Sequence, residues 1–157
     1  MLRELVSIAF LCCPVPAMAA DPAEERAKLE GAWTAISAER NGEEAAELVG
    51  HRLEFAGRRF HITAQGRILY VGSYAVEPEP QPAQIDFQHE EGGAAGATWQ
   101  GIYRLEDDTL TICDNALDVT KPRPTEFTTQ PGSGHVLLVF RRSSFARTST
   151  LPLDAPG

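Results

Sequence analysis

Positive charge is scarce in this chain: 14 Lys and Arg stand against 22 Asp and Glu, for a net charge of −8. A nucleic-acid backbone is bound through clustered basic side chains, so that class of partner is excluded. Long apolar runs are missing too, and no stretch reaches the roughly 18 to 20 apolar residues of a membrane-spanning helix. Cysteine is rare, with three in 157 residues, two of them adjacent at Cys12 and Cys13. No Gly-x-Ser-x-Gly nucleophile elbow occurs, and none of His51, His61, His89 and His135 stands at a short metal-ligand spacing from a Cys or another His. Neither enzyme activity nor a cofactor is therefore expected. What is present is a 43% apolar composition with 23% charged residues of both signs, too apolar for a disordered chain and of a length suited to one globular domain.

The first 20 residues read as an address. Arg3 precedes the apolar run Leu5 to Cys13, prolines break it at 14 and 16, and Ala17-Met18-Ala19 forms an A-x-A cleavage site. Export to the periplasm or the exterior is the expectation, with residues 1–19 as signal peptide, 20–142 as the folded domain and 143–157 as a flexible tail. The competing reading is a cytoplasmic protein with an apolar start, because Glu4 cancels Arg3. Lipoprotein processing at Cys12 is disfavoured, since Leu11 is not the small residue that step needs. Cleavage removes Cys12 and Cys13, leaving Cys113 with no intramolecular disulfide partner. The core alone must then stabilise the domain.

Beyond the leader, the chain predicts one helix and a series of short strands. Asp21-Pro22 followed by Ala-Glu-Glu-Arg-Ala-Lys-Leu has a cap, a first-turn proline and good helix formers, and Gly31 ends it. Trp33 to Arg40 is β-like and stops at the turn dipeptide Asn41-Gly42. Residues 43–50 are an acidic connector with room for one helical turn. Strict alternation on both sides of Gly57-Arg58 predicts a hairpin that sets Phe55 against Phe60 and Glu54 against His61. The motif Gly-x-Tyr-x-aliphatic-Glu occurs twice, at 72–77 and 101–106, each copy opening a hairpin. An irregular stretch, 114–134, precedes a last strand at 135–142. About eight strands without βαβ alternation predict an all-β protein: a small antiparallel barrel with a short N-terminal helix.

The run Gly31-Ala32-Trp33, Ser37 to Gly42, Leu53-Glu54-Phe55, Gly72-Ser73-Tyr74, Gly101-Ile102-Tyr103, Lys121 to Phe127 and Gly132 to Val139 resembles an uncharacterised bacterial domain family abundant in planctomycetes. The resemblance covers roughly residues 29 to 142. That family is described as lipocalin-like and has no assigned biochemical function, so the resemblance implies a lipocalin-like barrel. It also implies that an arginine of Arg141-Arg142 lies over Trp33 and closes the barrel, whereas Trp33 read by itself is simply a large core residue. The barrel is small for a lipocalin and lacks the usual disulfide.

Two functions from different classes fit. One is a carrier holding a small apolar ligand inside the barrel, with Trp33, Tyr74 and Tyr103 lining the interior. The other is a non-enzymatic interaction or structural module whose barrel is filled by its own side chains. A cavity below about 100 Å³ would exclude the carrier, since small-molecule pockets run to roughly 300 Å³ or more. A second candidate group is Lys121, Arg123, Glu126 and His135, held by prolines at a barrel end where they could orient a ligand. The plainer reading of that group is an Arg123–Glu126 ion pair fastening a loop. His61 and His89 with Glu90 and Glu91 are the best metal candidates, yet His61 is better read as the cross-strand partner of Glu54. Ser133 and His135 project to one side of a turn and do not form a catalytic pair, and Cys113 reads as a buried inert thiol.

Overall fold

The computed structural model describes residues 20–144. The expected signal peptide and nearly all of the expected tail lie outside the described residues.

Helix α1 (Pro22–Leu29) forms where its cap predicts: the Asp21 carboxylate accepts from the Ala23 N–H at 2.8 Å, and Glu24 and Glu25 occupy the first turn. Nine strands follow: β1 (Gly31–Arg40), β2 (Glu43–Glu44), β3 (Arg52–Ala56), β4 (Arg59–Ala64), β5 (Arg67–Glu77), β6 (Ala83–Gly92), β7 (Thr98–Glu106), β8 (Thr109–Asp114) and β9 (Val136–Arg142). Each of β3 to β8 pairs antiparallel with the next, and β1 pairs with both β3 and β9. Eight strands thus close a barrel, which leaves no exposed sheet edge around its circumference. The two-residue β2 only extends the end of β1, turning at Asn41 and Gly42, whose φ values of 49° and 82° are those of a primed hairpin turn. The acidic connector supplies one short 3-10 turn, Ala46–Leu48.

Register matches the alternation pattern. Glu54 faces His61 and Phe55 faces Phe60 across β3 and β4, and the Glu54 carboxylate lies 3.2 Å from His61 Nε2 on the wet face. Phe55 and Phe60 turn inward, where Phe55 meets Tyr74 at a ring separation of 4.5 Å and Phe60 meets Phe87 at 4.9 Å. With Leu29, Trp33, Ile85 and Leu110, these side chains fill the barrel half nearest α1. Each large apolar side chain removed from water contributes about 1.5 to 3 kcal/mol.

The α1 end is closed by one arginine. The Arg142 guanidinium lies 4.2 Å from the centroid of the Trp33 ring, as the resemblance implies. It also donates to Glu30 O at 3.0 Å and to Lys28 O at 2.8 Å, while Trp33 Nε1 donates to Leu29 O at 2.9 Å. Carbonyls that the helix end would leave unpaired are thus satisfied by the first and last barrel strands. An Arg142→Ala protein is expected to lose about 2 kcal/mol in urea unfolding, from the cation–π contact and the carbonyl bonds together. Arg142→Lys should recover less than half, because an ammonium cannot span the same acceptors while stacking on the ring. A lysine variant as stable as the wild type would show that charge alone closes this end.

Residues 115–135 form a strap across the outer wall. Asn115 is fully buried, with Oδ1 accepting from Gln100 N at 2.8 Å and Nδ2 donating to Lys121 O at 2.9 Å. Arg104 lies 4.7 Å from the Phe127 ring centroid, and the Thr129 hydroxyl donates to Glu39 at 2.6 Å. Ser143, the first residue of the expected tail, is tied to the barrel, its N–H donating to Ala32 O at 2.8 Å. Among the described residues no helix is long and apolar enough to cross a membrane.

Candidate functional site

The barrel half farther from α1 is hollow. A cavity of about 210 Å³ opens between the ends of the strands, walled by Leu53, Ile62, Tyr70, Trp99, Leu138 and Phe140. Arg40, His51 and Asp114 stand among the residues around it. The volume is above the limit that would exclude a carrier, though below that of a drug-sized pocket.

Strand pleat puts a carboxyl into this space. Leu110, Ile112 and Asp114 alternate on β8, and Asp114 ends the series where the barrel becomes hollow. Its side chain is only 3% exposed, and one oxygen accepts from Ala116 N at 3.1 Å. No cation pairs with it among the described residues. Burial pushes the Asp114 carboxyl up to about 7, against the opposite pull of the Ala116 N–H. Arg40 does not supply the missing charge, because its guanidinium pairs with Glu47.

The same pleat operates on β6, where Ile85, Phe87 and His89 turn inward. His89 is 2% exposed, 3.9 Å from Trp99, 5.3 Å from Tyr70 and 5.2 Å from Phe60, measured between ring centroids. It thus touches Phe60 of the filled half and Tyr70 and Trp99 of the cavity wall. Neither ring nitrogen has a hydrogen-bond partner among the described residues, and burial lowers its pKa to about 4. The ring is therefore neutral at pH 7.

The side chains expected to form the site fall into two places, neither of them the cavity. Trp33, Tyr74 and Tyr103 point into the barrel but lie in its filled half. The Tyr103 hydroxyl donates to Glu25 at 3.0 Å, fastening α1, and burial raises the pKa of both tyrosines, that of Tyr74 to about 12. Arg123 and His135 secure the strap. Arg123 donates to Asp86 at 2.6 Å and to Gly101 O at 2.8 Å, and His135 Nε2 is 3.0 Å from Pro122 O. The expected Arg123–Glu126 pair is not formed: Asp86 lies under the strap on β6, closer to Arg123 than the exposed Glu126. Lys121 is exposed, and its carbonyl serves Asn115.

His61 and His89 lie on opposite faces of the barrel wall, and among the described residues no three His, Cys, Asp or Glu side chains are grouped to hold a metal ion. The Cys113 thiol is buried behind the strap, 3.7 Å from Thr128 O, and burial pushes it up to about 12. That thiol is a poor nucleophile. Comparison of the chain with protein families, curated proteins and solved structures gives no match.

Proposed function

We propose that the chain is an exported, non-enzymatic carrier of lipocalin-like build that holds one small, largely apolar molecule in the hollow half of the barrel. The cavity carries this reading. A cavity of roughly 150 Å³ holds a benzene-sized molecule, so the 210 Å³ here fits a single ring with a short substituent. The arginine stacked on Trp33 supports kinship with the lipocalin-like family that the sequence resembles. The filled α1 half favours the second reading, an interaction or structural module, for that half of the barrel alone.

The test is ligand extraction and mass spectrometry of protein purified from its native host, beside a Leu138→Trp variant that fills the cavity. A molecule of about ten non-hydrogen atoms or fewer should come with the wild type and not with the variant, given a site of little more than benzene size. Identical extracts from two folded proteins would remove the carrier reading.

A further inference from the structure

We infer that the molecule held in the cavity is a small organic cation, a primary amine on an aromatic or short aliphatic body, whose ammonium group pairs with Asp114 while its body lies against Tyr70 and Trp99. This rests on the cavity being a ligand site. It goes further by naming the ligand's charge and its partner.

Three observations carry it. First, Asp114 is a carboxyl buried to within 3% of full enclosure, on the cavity lining and without a cationic partner among the described residues. Buried charge is ordinarily paired, and an unpaired group of this kind facing a cavity marks a place where a ligand completes the pair. Second, among the described residues the only other formal charge on the lining is Arg40, which Glu47 already neutralises. An anionic ligand would meet Asp114 as a like charge. Third, the wall beside this carboxyl is aromatic. Tyr70 and Trp99, with ring centroids 5.0 Å apart, offer π faces or edges to a ligand ring and to an ammonium group.

Binding an ammonium would draw Asp114 into its charged form, so uptake releases a proton wherever the free carboxyl is still protonated. The titratable groups around Asp114 are Arg40 from β1, paired with Glu47 of the 3-10 turn, His51 from the segment before β3, Tyr70 from β5, and the Cys113 thiol beside it on β8, which faces the strap. The adjoining strands present Val136 from β9 and Gly101 from β7 in register with it. With the carboxyl at about 7, binding at pH 7 should release about half a proton.

The experiment is calorimetric titration of the full chain with benzylamine, benzyl alcohol and benzoate at pH 7, in two buffers of different ionisation heat. Benzylamine should bind about tenfold to a hundredfold more tightly than benzyl alcohol, as a charge-assisted hydrogen bond implies, and should alone release protons. In Asp114→Asn the amine should fall to the affinity of the alcohol. The proton count on the wild type decides the matter should that variant fail to fold. Benzyl alcohol or benzoate binding as tightly as the amine, or amine binding without proton release, overturns the cation and leaves the carrier standing. No binding by any of the three, together with identical host extracts from wild type and Leu138→Trp, overturns both.

Discussion

Asp114→Asn will lose about 3 kcal/mol of stability between pH 6.5 and pH 4, and His89→Phe will lose about 4 kcal/mol between pH 4 and pH 7, relative to protein in which both groups are intact. The signs follow from proton counting. Burial takes His89 from 6.5 down to about 4, so between those values the unfolded chain binds more protons than the folded one. Its contribution is present above pH 6.5 and is lost as pH falls through that window. Burial takes Asp114 from 3.8 up to about 7, so here the folded protein binds more protons. Its contribution is present below pH 3.8 and is lost as pH rises toward and past 7. The two windows overlap almost completely and their slopes oppose. In the intact protein they nearly cancel, and removing either one exposes the other. His89→Phe should also gain about 1 to 3 kcal/mol at neutral pH by deleting two buried nitrogens that lack partners. Urea midpoints of the three proteins at pH 4, 5.5 and 7 check this, and parallel profiles would refute it.

Gly72→Ala will lower the melting temperature by about 10 °C or more, or prevent folding, at a cost of about 3 kcal/mol or above. The reason is space. A Cβ at residue 72 would stand 1.9 Å from Gln88 O and 3.0 Å from a Phe60 ring carbon, and the first of these is backbone in a paired strand. The second copy of the repeated motif has the same device in milder form: a Cβ at Gly101 would stand 2.7 Å from Cys113 O and 2.8 Å from Asp114 Cβ. Gly101→Ala should therefore be the smaller of the two losses. A melting temperature for Gly72→Ala within about 3 °C of wild type would mean that the β5–β6 pair can shift at little cost.

The repeat also marks how far the fold was legible from residue pattern alone. The two motif glycines are where a neighbouring strand comes too close for a side chain, and each stands in register with a buried titratable group, Gly72 with His89 and Gly101 with Asp114. The cap of α1, the turn at Asn41-Gly42 and the β3–β4 register are local features, set by residues within a few positions of one another. They followed from propensity and alternation. The first half of β5 did not, because Ile68 is 67% exposed there and a register shift at Val71–Gly72 interrupts the period-two pattern. The partner of Arg123 was also hidden, since Asp86 lies 37 positions away and only the strap brings them together.

A ligand inside the barrel was expected but the residues around the cavity were not, yet Asp114 on its lining and His89 packed against its wall had a readable signal. Leu110, Ile112, Asp114 and Ile85, Phe87, His89 are inward series in which the third member is polar. A titratable residue in the apolar phase of a strand is a candidate for function, whereas the aromatic residues Trp33, Tyr74 and Tyr103 fit the same phase by packing alone. What alternation cannot supply is the height at which the barrel stops being filled.

Pairing of the first strand with the last ties the container to the order of synthesis. Trp33 and Thr34 on β1 take Arg142 and Arg141 as their partners. A chain growing from its N-terminus therefore carries an open sheet with unsatisfied edges until its final barrel residues emerge, and pays the closure of a long loop in a late step. Until Arg142 arrives the protein has walls but no vessel.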